Sequence, residues 1–189
     1  MAALRKGLRS LKQYYEGLSF PEPALTLNHS LIFPYPTTYS SPDSPHGKIT
    51  FRYLSMPDPT KLVFFGIAGT DEICIKYVKD HYPVDVHQAC TSLGCAPVLL
   101  ACEKLAGNWL MVVMSALSNY SMLYHCRGRN HLPRSLFVDM SKQLKNFHSA
   151  GFVHGDIRDT NIMVSPDRKK FMIIDFDWAG KTWSRAIST

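Results

Sequence analysis

The hydrophobic pattern is clearest near the end of the chain, where two short apolar runs, residues 161–164 and 171–174, flank a turn of Pro, Asp, Arg and Lys. This pattern predicts a β-hairpin. Because the outer ends of an antiparallel hairpin lie side by side, the polar residues before the first strand and after the second are expected to meet. These residues are Asp156 and Asn161 on one side and Asp175 and Asp177 on the other, with His154 and Arg158 nearby.

The middle of the chain has the pattern of an antiparallel sheet followed by a long amphipathic helix. Strands are predicted at residues 49–54, 62–67, 73–78, 98–102 and 109–114. The last two are almost continuously apolar, so both are expected to be buried. Helices are predicted at residues 83–93 and 133–150, because each begins with proline, keeps its apolar residues on one face and is followed by glycine. The second helix leads directly into the polar residues that precede the hairpin.

The first 47 residues differ from the rest. Leucines and tyrosines recur at helical spacing through residues 4–18, with basic residues between them. The plainer interpretation is a helix that packs on the domain or on a partner; a mitochondrial transit segment or a membrane-surface helix is the alternative. Residues 19–47 contain six prolines, which disfavour both helix and central strand, so a linker or an extended arm is expected there.

Composition narrows the class of protein. A chain of 189 residues with 46% hydrophobic and 19% charged residues is typical of one globular domain, or of a small domain with a tail. The net charge is +6, and its basic residues are scattered apart from residues 168–170 in the predicted turn and a group in the first dozen residues. This pattern does not favour nucleic-acid binding. The five cysteines form no Cys-x-x-Cys pair, and an odd count without a secretory signal indicates reduced thiols in an intracellular, cytoplasmic setting. No apolar run is long enough for a transmembrane segment.

The polar ends of the predicted hairpin indicate the chemistry. Carboxylates gathered with an amide would repel one another or stay unsatisfied without a cation. Oxygen ligands of this kind suit Mg²⁺, which usually takes one or two carboxylates and completes its shell with nucleotide phosphates. A phosphoryl-transfer site that holds Mg²⁺ and nucleotide phosphates is therefore predicted.

These residues also carry a family resemblance. His-Gly-Asp at 154–156, Asn161 five residues later and Asp-Phe-Asp at 175–177 resemble the catalytic loop and metal motif of the protein-kinase-like superfamily. The sequence of these motifs is most similar to small fungal kinase-like proteins, and it also resembles choline and aminoglycoside kinases. The resemblance implies that Asp156 is the catalytic base, that Asn161 and Asp175 hold the metal, and that Arg158 faces the γ-phosphate. Gly155 stands where many regulated kinases have Arg, and Asp177 where the usual motif has Gly.

The resemblance extends to the first half of the domain. It implies that Lys76, on the strand at residues 73–78, contacts the nucleotide phosphates, whereas the pattern alone also allows an exposed strand lysine. Asp85 is the acid available to pair with Lys76, although an Asp at a helix start that stabilises the helix dipole is an equal alternative. Met114 would stand at the entrance to the adenine site, and Ser115 to Leu117 would offer backbone hydrogen bonds to the base.

Two features depart from the family. The turn at residues 55–60 contains Pro57 and Pro59 and no glycine, where kinases have a Gly-rich loop. The chain ends at Thr189, soon after Asp175, so the large lobe is expected to be truncated. A truncated product, a degenerate kinase or a partner chain that covers the incomplete lobe would each explain this.

The sequence therefore predicts an α+β, protein-kinase-like fold with an antiparallel small lobe and a reduced helical large lobe. Its expected parts are an N-terminal helix and arm at residues 1–47, a small lobe at 48–117 and a partial large lobe at 118–189. The predicted function is ATP- and Mg²⁺-dependent phosphate transfer to a Ser/Thr hydroxyl of a protein, or else to a small alcohol. A pseudokinase or nucleotide-binding interaction module without turnover is the alternative.

Overall fold

The computed structural model describes residues 2–17, 35–41, 47–126 and 132–182. The chain divides into two compact units, Met1–Pro36 and Thr37–Thr189. The first unit contains helix α1 (Ala2–Glu16), as its periodicity predicts. Most of the proline-rich arm lies outside the described residues, and so do Leu18 and the end of the chain from residue 183. The boundaries predicted at residues 47 and 117 stay predictions.

The second unit begins with a five-stranded antiparallel sheet. Its strands are β3 (Arg52–Ser55), β4 (Val63–Ala68), β5 (Asp71–Lys79), β6 (Leu99–Lys104) and β7 (Trp109–Ser115). Their spatial order is β3-β4-β5-β7-β6. The buried strand β7 agrees with its apolar sequence. The expectation that its neighbour is equally buried is wrong: β6 is only half-buried, because it lies at the edge of the sheet.

The strand predicted at residues 49–54 is interrupted. Lys48–Thr50 forms strand β2, which pairs with β1 (Thr38–Ser40), a short strand inside the segment predicted to be an arm. The interruption falls at Phe51, whose side chain is 3% exposed and whose N–H donates to the carbonyl of Thr37. Burial of this ring therefore takes precedence over continuous strand pairing at that position.

Aromatic rings form a continuous row of contacts in this part of the unit. The rings touch in succession at centroid distances between 5.2 and 6.0 Å, and they are Tyr39, Phe51, Tyr53, Phe64 and Tyr77. Three of the four pairs meet edge to face, and such pairs add to the free energy gained by burial alone. They join the β1–β2 pair to the larger sheet.

Helix α2 (Val84–Ser92) follows β5 and buries Val86, His87 and Cys90. The thiol of Cys90 lies 3.2 Å from that of Cys95, and both residues are buried. All five cysteines are free. The carbonyl of Cys95 accepts a 2.7 Å hydrogen bond from the N–H of Ile173, so the segment after α2 is fixed to the hairpin that leads to Asp175.

The predicted hairpin and the long helix both form. The hairpin consists of β10 (Ile162–Val164) and β11 (Phe171–Ile173), and α4 (Arg134–Ser149) buries its apolar face through Leu136, Met140 and Phe147. Four short elements complete the region: β8 (Ser121–Met122), α3 (Leu123–Cys126), β9 (Phe152–Val153) and β12 (Gly180–Lys181). Elements of two to four residues carry too little pattern to be predicted. Of the helices in the described ranges, none is both long and apolar enough to cross a membrane.

Candidate functional site

The predicted catalytic loop lies between β9 and β10, and its hydrogen bonds fix Asp156. The Oδ2 of Asp156 accepts a 2.8 Å hydrogen bond from Asn161 Nδ2 and lies 3.0 Å from a guanidinium nitrogen of Arg158. Asn161 is 5% exposed, and its Nδ2 also donates to the Asp156 carbonyl at 3.1 Å. Because both partners are oxygens of Asp156, the Asn161 atom that faces them must be the amide nitrogen. The orientation of the amide group is therefore assigned from its hydrogen bonds. The amide oxygen accepts no hydrogen bond from the described part of the chain.

His154 connects this loop to the strand that precedes Asp175. Its Nε2 donates to the Ile174 carbonyl at 3.0 Å, and its Nδ1 accepts from the N–H of Asp156 at 3.3 Å. The ring is 1% exposed, and burial lowers its pKa below the ordinary value for histidine. The neutral ring therefore uses both nitrogens, and it holds the backbone of Asp156 in place.

Asp175 forms an ion pair with Lys76 of strand β5. The Nζ of Lys76 lies 2.6 Å from a carboxylate oxygen of Asp175 and 2.6 Å from one of Asp177. Burial alone would raise the pKa of Asp175, but the hydrogen bond and charge of Lys76 outweigh it and lower that pKa. Asp175 adopts a left-handed backbone conformation with φ of 67°, at the point where β11 has ended and a 3₁₀ turn at Phe176–Trp178 begins.

The pairing predicted between Lys76 and Asp85 is not formed. Asp85 stands in the first turn of α2 and pairs with Lys181 of β12, with 2.6 Å between Nζ and Oδ2. Its pKa is lowered chiefly by the hydrogen bond from Lys181. Lys76 instead turns to Asp175 and Asp177, which present two carboxylates on the opposite side of the site. The role of Asp85 in cofactor binding is therefore not supported by its contacts.

A ring stack that the sequence analysis missed supports the loop at Asp175. Phe176 lies face to face with His87 of α2, with ring centroids 4.5 Å apart, and edge to face with His154 at 4.9 Å. The Nε2 of His87 donates to the Pro97 carbonyl at 2.9 Å, and its Nδ1 accepts from the hydroxyl of Tyr82 at 2.8 Å. Burial lowers the pKa of His87 to about 4. A histidine among apolar helix residues gives no sequence signal that separates this role from simple core packing.

The residues fit a magnesium ion with a nucleotide better than a metal held by protein alone. Within the described residues no three or more His, Cys, Asp or Glu side chains are grouped as metal ligands. Asp175 offers a carboxylate, and Asn161 offers its amide oxygen, to which no residue described in the structure donates. The two segments are joined by a 3.0 Å hydrogen bond from the Ile174 N–H to the Asn161 carbonyl. One or two protein oxygens suffice for Mg²⁺ when phosphates supply the others.

A cleft of about 410 Å³ opens beside the sheet. Its lining includes Phe65 of β4, Glu72 of β5, Leu117 and Met163 of β10. Residues two apart on a strand share a face, so Glu72 lies on the same face of β5 as Lys76. In the pairing of β4 with β5, Val63 lies opposite Lys76 and Phe65 lies opposite Cys74. The face that carries Lys76 therefore continues onto β4.

The segment predicted to contact an adenine base is only partly free to do so. Leu117 lines the cleft, but Met114 is 9% exposed and belongs to the core. The N–H of Ser115 donates to the Val98 carbonyl at 2.9 Å, and the Ser115 hydroxyl accepts from the Val98 N–H. The N–H of Ala116 donates to the Glu72 carbonyl. The N–H groups of Ser115 and Ala116 are therefore already paired within the protein, and the predicted contacts of this segment with a base stay a prediction.

Comparisons with known proteins agree with this geometry. A model of the lipopolysaccharide kinase (Kdo/WaaP) family matches residues 95–188, which include the predicted catalytic loop and Asp175. The structure of the Cydia pomonella granulovirus kinase PK-1 superposes with a TM-score of 0.60 at 16% sequence identity, and the match covers 69% of this chain. The chain spans about half of the viral kinase, 52% of its length. A search of curated proteins gives no match. The chain therefore has a protein-kinase-like fold, and its residues 95–188 are similar to the lipopolysaccharide kinase (Kdo/WaaP) family.

Proposed function

We propose that the protein transfers the γ-phosphate of ATP to a hydroxyl group in an Mg²⁺-dependent reaction. The observation that carries this proposal is the geometry around Asp156: its carboxylate is fixed by Asn161 and Arg158, while Lys76 reaches across from the sheet to Asp175. A base, an amide oxygen, a carboxylate and an ammonium are the groups that phosphoryl transfer requires. The coarser activity, a phosphotransferase of kinase type, agrees with the family match.

In this proposal each side chain has one task. Asp156 accepts a hydrogen bond from the acceptor hydroxyl and orients its oxygen toward the phosphorus. Asp175 and the amide oxygen of Asn161 would hold Mg²⁺, which neutralises charge on the β- and γ-phosphates when bound. Lys76 would move from the two aspartates to the phosphates, since its flexible stem allows both positions. Arg158, whose side chain is 59% exposed, can turn from Asp156 to the γ-phosphate.

Two acceptor classes are distinguished by experiment. The sequence predicts a protein Ser/Thr hydroxyl, whereas the match to a lipopolysaccharide kinase family favours a sugar hydroxyl. The full-length chain is incubated with radiolabelled ATP and Mg²⁺, and then with a mixed Ser/Thr peptide pool or with a panel of free and lipid-linked sugars. Label on one class identifies the acceptor. Label on neither, together with no ATP hydrolysis, would contradict the proposal.

Asp156→Asn provides the test of mechanism. Loss of the carboxylate is expected to lower kcat by about 10²–10⁴-fold, because a positioned general base contributes about that much. Binding of Mg-ATP, measured by thermal shift, should change little, since Asp156 acts on the acceptor. The matched control is Asp139→Asn, an exposed aspartate on α4, which should leave kcat unchanged. Equal activity in Asp156→Asn and the unaltered protein would refute the role of Asp156.

A pseudokinase that binds nucleotide without turnover is the second candidate. The turn at residues 55–60, with its prolines and no glycine, favours it, because a stiff turn covers phosphates poorly. Here Mg-ATP at a hundred times its dissociation constant would still stabilise the fold by about 2.7 kcal/mol. Stabilisation of that size with no transfer to either acceptor class selects this candidate; no stabilisation at all rules out both.

A further inference from the structure

Helix α1 (Ala2–Glu16) has a sharply divided surface. At about 100° per residue, Leu8, Leu11, Tyr14 and Tyr15 fall within a sector of roughly 120°. The basic residues Arg5, Lys6, Arg9 and Lys12 fall on the remaining surface, two of them close to the edge of the apolar sector. The one acidic residue, Glu16, lies among them and pairs with Lys12 at 3.7 Å. The helix therefore carries an apolar face with positive charge along one of its edges.

The apolar face is exposed to solvent. Leu8 is 58% exposed and Leu11 is 53% exposed, and the exposed fractions of Tyr14 and Tyr15 are 64% and 65%. Adjacent exposed residues of this size on one helix face mark an interaction surface more often than a solvated one. A helix of 15 residues is also marginal in water without a partner for that face.

Charge complementarity decides which partner fits. Nucleic acid would use the four cations but leave the leucines in water. An apolar groove on a protein would use the leucines but gives no reason for cations along the border. A bilayer that contains anionic lipids uses both, because leucines insert among the acyl chains while Lys and Arg extend to the headgroups. Tyr14 and Tyr15 suit the same boundary, since each has an apolar ring and a polar hydroxyl.

We propose that α1 is a membrane-surface helix that binds anionic phospholipid bilayers, with Leu8 and Leu11 inserted and Arg5, Lys6, Arg9 and Lys12 on the headgroups. The helix lies in the plane of the interface and does not span the membrane. This property does not depend on the proposed phosphotransfer, and either can fail without the other.

Sedimentation of the full-length chain with phospholipid vesicles tests the proposal. Binding to vesicles of phosphatidylcholine with phosphatidylserine should be at least tenfold tighter than binding to phosphatidylcholine alone, because each basic residue near such a surface contributes about a fivefold gain in affinity. Rising salt should weaken binding, since screening reduces this attraction. Circular dichroism should show helix content rising with the anionic vesicles.

Three double variants define the contacts. Arg5→Glu with Arg9→Glu should abolish the preference for anionic vesicles, and Leu8→Gln with Leu11→Gln should lower binding at least tenfold even at low salt. The matched control is Lys169→Glu with Lys170→Glu, which changes the net charge equally at the exposed β10–β11 turn and should keep full binding. Unchanged thermal unfolding shows that each variant is folded. Binding that survives the leucine change, or is lost equally in the control, would overturn the proposal, as would the absence of vesicle binding.

Discussion

At the scale of single residues, the site depends on how one ammonium balances two carboxylates. The side chain of Lys76 is only 16% exposed, and its Nζ contacts both Asp175 and Asp177. Removal of Lys76 would leave two partly buried carboxylates side by side, and the pKa of Asp175 would rise because its lowering interactions come first from Lys76. Both carboxylates are more than a third exposed, so solvent screening limits the cost to the fold.

Lys76→Met is therefore expected to lower kcat/KM for ATP by about 10²–10³-fold while it costs the fold only about 1 kcal/mol. Asp175 contributes stability above its unfolded pKa and loses it as the pH falls through the lower folded pKa. The difference between the folded and unfolded pKa values of Asp175 should become smaller in Lys76→Met. A carboxyl NMR titration would detect this change. Lys79→Met, at the exposed end of the same strand, should change neither quantity. An unaltered titration of Asp175 in Lys76→Met would contradict this account.

Gly155 holds the predicted catalytic loop against the turn after Asp175. It adopts a φ of +79°, and a Cβ there would lie 2.3 Å from the carbonyl oxygen of Trp178. Gly155→Ala is expected to cost at least about 2–3 kcal/mol, because the left-handed conformation and the contact with backbone both oppose a side chain. Gly69→Ala is the control: φ is +62° but nothing lies within 4 Å of the added Cβ, so only the conformational cost of about 1 kcal/mol remains. Urea unfolding measures both, and equal costs would mean that the contact with Trp178 relaxes freely.

The residue motifs were predictable where a spacing encodes them. The sequence singles out Asp156, Asn161, Asp175 and Lys76, and hydrogen bonds join Asp156 to Asn161 and Lys76 to Asp175. The catalytic and metal-binding roles of these residues stay predictions. The partner of Asp85 was not predictable, because Lys181 comes from a two-residue strand far along the chain. The ring stack on Phe176 was not predictable either, since the position of α2 against the hairpin is decided by packing and not by local pattern.

At the scale of elements, that ring stack joins α2, the predicted catalytic loop and the turn after β11. His87 is fully buried, with hydrogen bonds at both ring nitrogens, and its charged form is disfavoured by burial first and by the charge of Lys76 as well. Protonation of the ring at Nδ1 would remove the acceptor to which the Tyr82 hydroxyl donates. The contact between α2 and Phe176 is therefore expected to weaken in acid.

The pH dependence of stability follows from the direction in which folding shifts the pKa of His87. His87 has a folded pKa of about 4, below the unfolded value near 6.5, so the unfolded chain binds the extra proton first. The free energy of unfolding is expected to fall by about 2–3 kcal/mol as the pH drops from 6.5 to 4, and His154 adds to the loss in the same direction. Urea unfolding at a series of pH values would show this slope. His87→Phe should flatten it, whereas His81→Phe, at an exposed position, should not; a flat curve in the unaltered protein would refute the buried neutral ring.

Element prediction succeeded where the period was sustained and failed where burial competed with it. The hairpin β10–β11, the strands β4, β5 and β7 and helices α2 and α4 lie where the sequence predicts them. The predicted strand through Phe51 divides because that ring turns inward, and β6 is half-exposed because it lies at an edge. A continuous apolar run indicates burial in general, but it does not indicate whether a strand is central or peripheral.

At the scale of the whole molecule, the two halves of the kinase-like unit share one hydrophobic core. It runs from Val78, Val86 and Val112 on the sheet side to Phe147 and Ile173 on the helical side, with Phe176 included. Direct backbone bonding across this boundary, from the Ile173 N–H to the Cys95 carbonyl, reinforces it. A core that is contiguous in this way favours unfolding of both halves in one transition.

Phe176→Ala tests that cooperativity. The ring is 1% exposed between His87 and His154, so its removal is expected to cost about 3–5 kcal/mol. Because the core is shared, hydrogen exchange should accelerate together in strand β5 of the sheet and strand β11 of the hairpin, at rates that report one global opening. Phe137→Ala removes the same ring from a position on α4 that is 47% exposed, and it should leave exchange at both strands nearly unchanged. If Phe176→Ala accelerates exchange in β11 while β5 stays protected, the two halves unfold separately, and the ring stack would then serve only the local geometry of the loop at Asp175.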